Sequence, residues 1–455
     1  MKTKRAILVA LATASTLGLT TACGSSGGGG NTGGSAKFTA NPTGSMTAWA
    51  FDNPDDVGQA RLDDAKAFLK DVKIKMDETP FDAQKFTTRV AGGNVPDVVQ
   101  MDRGTVVTYA AQGLIMPLDK CYAAHKVDPK QRFYKAMVDD MTYKDQIWAV
   151  PQFLQPNLII LNERVMKAAG VTNDQIDTSK PDVLLPAIKK MYKTSGGNPS
   201  VLGLDPVPTG QDYQWVVGLG GKLVDDTGKP TLDDASNAYP LQLLKQITDA
   251  QGGWAKIKSF TDRFDTFGKN NQYVKDQVGA QVNAQWYPNV LSPYKDQIDI
   301  QAVPFKDKSG NPVSVTGGSA FVIPAKAKHP DAACAWMIRL TDEQNWMAAE
   351  KARVQTLAKN KGINTGLFTG SPKADQDIKA QYVKPSGSAG FDQVIETTYQ
   401  VLDGSKGVGS SPVGQQIKNA LDNAITSTLL GQKSATQALK DAQNVAMNAW
   451  NQTKH

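Results

Sequence analysis

The sequence predicts an α/β fold of two lobes, and three observations point to it. The 455 residues exceed the size at which a single hydrophobic core stops growing, so two globular units follow. From 45 to 112, strand-like and helix-like stretches alternate, the pattern of parallel strands joined by right-handed crossovers. Between 147 and 164, the apolar runs 147–150 and 158–161 flank Pro151 and Pro156, which remove backbone donors and interrupt a continuous element. That stretch reads as a crossover between lobes, and small-molecule sites preferentially lie at such junctions.

In chain order, 45–51 is a strand that ends in the polar turn of Asp52, Asn53 and Pro54. Leu62, Ala65, Phe68 and Leu69 then recur at helical spacing within 57–72. A strand at 72–76, a helix at 81–91 stopped by Gly92 and Gly93, a strand at 94–101 and a helix at 105–112 complete the first unit. The carboxyl ends of these strands, where ligands bind in such sheets, carry Asp52, Asn53, Asp102 and Arg103. Past the crossover, helices are expected at 162–169, 181–192, from 211 and at 241–250, with a strand, turn and helix across 278–291. Strands at 298–305 and 318–324 return the chain across the junction, a helix follows at 331–340, and the chain is helical from 411 onward.

The termini and composition narrow the function class. A basic head (Lys2, Lys4, Arg5), an apolar run at 6–19 and small residues before Cys23 describe a secretory signal too short to span a bilayer. Removing that head reduces the formal charge of +6 to roughly +3, too little for a nucleic-acid footprint. The stretch around Cys23 resembles the lipobox of bacterial lipoproteins, with Thr20 where leucine is usual and Leu19 one place earlier. That resemblance implies signal removal at 1–22 and a lipid on Cys23. The Gly/Ser-rich stretch to 36 would be a flexible tether reaching on the order of 20 Å. Of the remaining cysteines, Cys121 and Cys334 stand in a compartment that permits disulfides, and the reading leans to unpaired thiols.

Several stretches, in order, resemble a bacterial extracellular solute-binding protein of the maltose-binding type, the receptor component of an ABC importer. They are Gly92 through Pro96, Asp97 and Val99; Gly113 to Asp119; and Trp148 and Pro151 through Asn162. Further on come Gly279 to Trp286, with Ala284 in place of a glycine; Gly317 to Pro324; and Gln437 to Gln443. The resemblance implies a periplasmic-binding-protein-like fold, each lobe a mostly parallel sheet flanked by helices. Lobe one would be 37–154 and 303–358, and lobe two 155–302 and 359–455, with hinge strands at 155–157 and 303–305.

In that family Trp286 corresponds to a tryptophan lying against a sugar ring, and an indole face suits the apolar face of a pyranose. The polar candidates are Asp52, Asn53, Asp102, Arg103, Gln155, Gln211, Asp212 and Tyr213. Carboxylates, amides and guanidinium match hydroxyls that both donate and accept. Phe51 and Tyr287 are candidate second aromatic walls. The family's further aromatic platform has no counterpart near Lys418, which weakens a maltodextrin ligand while leaving sugars open.

The three histidines, His125, His329 and His455, stand beside no motif, so a Ser/His triad or a zinc cluster lacks its parts. No phosphate-binding loop is present, so ATP hydrolysis would belong to another subunit. The expected function is a monomeric, lipid-anchored extracellular receptor, without metal or cofactor, that closes on an oligosaccharide and delivers it to a membrane permease. The alternatives are a secreted glycoside hydrolase using two of Asp52, Asp102 and Asp212, or a receptor of the same fold for a non-sugar solute.

Overall fold

The computed structural model describes residues 37–51, 55–207, 213–360, 362–402 and 404–453. Local sequence signals fix many element ends. Asp55 caps the helix Asp56–Phe68 by accepting from Gly58 N at 2.8 Å, and Asp82 caps Ala83–Gly92 by accepting from Lys85 N at 2.6 Å.

The first sheet has five strands in the order Val72–Asp77, Gly44–Trp49, Val98–Asp102, Ser319–Val322, Val150–Pro151. The first three pair in parallel, as the helical crossovers between them require. Ser319–Val322 lies antiparallel to both of its neighbours. The sheet is therefore mixed, because this strand re-enters from the far side of the junction and runs against the others. Phe51, Phe321 and Trp336 pack on one face, and Trp49, Phe86 and Tyr109 on the other.

The second sheet centres on Asn157–Asn162, fully buried and antiparallel to Ala280–Ala284 on one side and Ile300–Val303 on the other. Side chains alternate across a strand. Ile159 and Leu161 accordingly join the core beneath the helices Pro181–Met191, Ala235–Asp249, Gly414–Leu429 and Ala435–Gln452. Leu158 and Ile160 join the opposite core with Tyr273, Tyr287, Phe391 and Ile395. Burial on both faces explains why this run is uninterruptedly apolar in sequence.

The chain crosses between the sheets at 151–157 and again at 303–319. Gln155 N donates to Gly317 O at 3.3 Å, and Leu154 N to Thr369 O at 3.2 Å, so the crossing segments are laced together. The helix Pro372–Tyr382 packs Ile378 with Val57, Trp346 and Ala349 beside the first sheet, and Ala389–Leu402 packs on the second.

Cys121 and Cys334, which the sequence leaves undecided with a slight lean to unpaired, are bridged. The helices Asp119–Ala124 and Pro330–Leu340 lie in the same core and bring their Cα atoms to 5.8 Å, within bridging reach. Among the described residues, no helix is long and apolar enough to cross a membrane.

Candidate functional site at the junction of the lobes

The crossing strands and the ends of both sheets enclose a cavity of about 250 Å³. Its walls come from the turn after Val98–Asp102, from 155–157, from the start of the helix Tyr213–Gly218, from 315–318, and from 408–418. Apolar side chains (Leu223, Val224, Val408, Ile417) alternate there with polar ones (Asp102, Gln155, Asn157, Tyr213, Gln415). Mostly apolar walls carrying a few placed polar groups are the chemistry of a small-molecule site.

Asp102 ends its strand and turns the chain, its Oδ1 accepting from Gly104 N at 2.8 Å. This positions Arg103, only 2 % exposed, to donate from Nε to Asp140 Oδ2 at 3.1 Å. Its other nitrogens donate to Thr316 O at 2.8 Å and Gly317 O at 3.1 Å. Arg103 is thus a strut between the first lobe and the returning strand. Asp140 is 4 % exposed, and burial raises its pKa above the usual carboxylate value despite the opposing pull of Arg103.

Asn157 opens the central strand of the second sheet. Its backbone N donates to Ser314 Oγ at 2.6 Å and its Nδ2 to Val315 O at 2.8 Å. Its Oδ1 has no partner among the described residues, although Asn157 is 3 % exposed. A buried acceptor is costly unless something donates to it. The sequence marks Asn157 only as part of the hinge strand 155–157; the further signal is a polar residue directly after Pro156 at the head of an apolar run. Gln214, unmarked in the sequence, belongs to the lining and accepts from Val315 N at 2.7 Å. Lys418 holds its ammonium 5.5 Å from the Tyr213 ring centre and pairs with Asp422 at 2.7 Å.

Of the residues singled out from sequence, Asp102, Arg103, Gln155 and Tyr213 are brought together around this cavity. Phe51 is not a cleft wall. It is 2 % exposed and lies between Phe321 and Trp336 with ring centres 6.0 and 5.5 Å away, because the strand's alternation turns it into the core. Tyr287 is likewise core, its hydroxyl engaged with Gln272 and with Thr266 O. Trp286 does not line the cavity. It sits past the end of Ala280–Ala284, half-buried, stacked at 6.0 Å and 13° on Phe267, which is 70 % exposed. Asp52, Asn53, Gln211, Asp212 and Cys23 lie outside the described residues. Of the carboxylates a hydrolase would use, Asp102 alone falls within them, and its Oδ1 is occupied in capping the turn. Among the described residues, no group of three acidic, cysteine or histidine side chains is placed to hold a metal.

Comparison with known proteins agrees with this architecture. An arabinooligosaccharide-binding protein of Bacillus subtilis (strain 168) is 23 % identical over 254 residues, a match spanning 54 % of this chain and 55 % of that relative. In three dimensions the chain resembles CpMnBP1 with mannobiose bound, at a TM-score of 0.68 and 22 % identity, over 89 % of this chain and 100 % of that one. It also resembles an ABC substrate-binding protein from Listeria monocytogenes in complex with cycloalternan, at 0.69 and 17 %, over 90 % and 100 %. These likenesses establish the two-lobed binding-protein fold. Residues 52–354 match the bacterial extracellular solute-binding protein family, and the chain belongs to that family.

Proposed function

We propose that this protein is the extracellular receptor of an ABC importer, binding a carbohydrate between its two lobes and presenting it to a membrane permease. The observation that carries the reading is the junction cavity, where Asp102, Gln155, Asn157 and Tyr213 converge among apolar walls. A sugar hydroxyl can donate to one of these side chains and accept from another at once, while the apolar walls and the Tyr213 ring take the C–H face of a pyranose. Asp102, Gln155, Asn157 and Tyr213 are the contacts we assign, with Arg103 as the strut behind them. Further support comes from relatives whose names specify arabinooligosaccharide, mannobiose and cycloalternan.

The hinge strands at 151–157 and 303–319 let the lobes close over the ligand and form a surface that a permease recognises. A lipid on Cys23, with the following Gly/Ser-rich stretch as tether, would hold a monomeric receptor at the outer face of the cytoplasmic membrane. Isothermal titration against arabino-, manno- and malto-oligosaccharides, a polyamine and a short peptide tests the assignment. Saturable binding of a sugar, recovered intact after long incubation, is expected. Binding only of the polyamine or peptide would overturn the carbohydrate assignment, and sugar turnover would replace the receptor with a hydrolase. Mass spectrometry of the mature amino terminus tests the lipid on Cys23.

A further inference from the structure

The segment 404–414 is a glycine-rich strap that passes between the lobes. Its start pairs as Ser405–Lys406 with Ser314–Val315, and its end leads into the helix Gly414–Leu429 of the second lobe. Thr108 Oγ1, on the first-lobe helix Val106–Ala111, donates to Ser411 O at 3.3 Å across the junction.

Two glycines let the strap pack tightly on both sides. A β-carbon on Gly407 would lie 2.2 Å from Asp140 Oδ1, so only glycine permits the backbone to approach that carboxylate. Gly409 has a φ of +84°, and a β-carbon there would lie 2.5 Å from Val224 Cγ2. The strap is thus pressed against Asp140 on one lobe and Val224 on the other.

Successive strap residues face different spaces. Val408 and Ser411 line the 250 Å³ junction cavity, whereas Gly407, Ser410 and Pro412 line a second cavity of about 920 Å³ on the far side. Asp140, Val224 and Gly409 border both. The strap is a partition, and these three residues are its seam.

We infer that the strap sets the length of the saccharide this receptor takes, an inference that rests on the carbohydrate assignment above. The inner cavity falls just below the range of about 300–1,000 Å³ typical of drug-sized ligands. It suits one or two sugar units. A longer chain that extends toward the strap must either stop at the seam or displace the strap from Asp140 and Val224, losing the contacts that join the lobes. Val224 is therefore a specificity-determining residue: its side chain closes the seam against Gly409.

The test is titration of the full chain with mannose, mannobiose, mannotriose and mannotetraose, with the arabinose and maltose series in parallel. The same series is repeated on Val224→Ala. We expect affinity to fall by about tenfold or more from the disaccharide to the tetrasaccharide of the series that binds. In Val224→Ala the tetrasaccharide-to-disaccharide affinity ratio should rise by roughly threefold or more as the seam opens. Equal affinity for the two lengths in the native chain overturns the inference, as does a fall that Val224→Ala leaves unchanged; in both cases the carbohydrate assignment stands. Absence of binding by every sugar in all three series overturns both.

Discussion

Arg103 and Asp140 form a buried ion pair at 3.1 Å in the wall of the junction cavity. The same guanidinium donates to the carbonyls of Thr316 and Gly317, so one side chain ties the cavity wall to a crossing strand. Such a pair adds little over an apolar replacement, but breaking it leaves an uncompensated buried charge. We expect Arg103→Ala to lower unfolding stability by about 3–5 kcal/mol in urea titrations. Asp140→Asn, which keeps the shape and one acceptor, should cost less. A loss below about 1 kcal/mol for Arg103→Ala, the range of exposed pairs, would mean that the strut is not formed in solution.

Two aromatic surfaces compete for the apolar face of a sugar, namely Tyr213 in the cavity and the Trp286–Phe267 stack outside it. With the ligand in the cavity, Tyr213→Ala should weaken sugar binding by about tenfold or more. Trp286→Ala should change it by less than about threefold. The reverse order, measured by titration, would move the site toward Trp286.

The Cys121–Cys334 bridge spans a sequence separation of 213 residues inside the first lobe's core. Closing so long a loop restricts the unfolded chain strongly in the entropic description. Cys121→Ser is expected to cost about 2–5 kcal/mol and lower the melting temperature. Alkylation of the denatured, unreduced protein should find Cys121 and Cys334 protected; two reactive thiols would contradict the pairing.

Stability should also depend on pH. Asp375 accepts from Thr369 N at 2.7 Å and from the Tyr134 hydroxyl at 2.8 Å, where burial pushes its pKa up to about 7. Burial likewise pushes Glu350 up to about 7, although Asn364 donates to its other oxygen. Both folded-state values exceed the unfolded ones, so between about pH 4 and pH 7 the native state holds protons that the unfolded chain has released. Stability should therefore fall as pH rises through that window and level off above it, by on the order of a few kcal/mol in total. Glu350→Gln should flatten the melting-temperature profile. A native profile that rises from pH 5 to pH 8 would contradict the assignment.

Much of the framework is legible in the sequence because its signals are local. Capping by Asp55 and Asp82, the apolar helix face of Leu62 and Ala65, and the apolar run 158–161 act within a few residues of themselves. Pairing sense is less legible, since the direction of Ser319–Val322 depends on where the chain returns from, more than a hundred residues after Val98–Asp102. The site divides in the same way. Asp102, Arg103 and Gln155 stand at a strand end and a crossing, and Tyr213 at a helix start, so they could be picked out by position. Phe51 looked equally well placed, but one step of strand alternation turns it into the core. Asp140, Asn157 and the 404–414 strap carry no local motif; only the tertiary approach of Arg103, Ser314 and Val224 gives them roles.

A carbohydrate bound at the junction should draw the lobes together. Small-angle X-ray scattering of the purified chain, with and without a saturating amount of the best-binding short saccharide, tests it most directly. We expect one-to-one binding by titration and a smaller radius of gyration in the bound state. Failure of every sugar to bind saturably, or binding with no change in the scattering of an open free state, would contradict it.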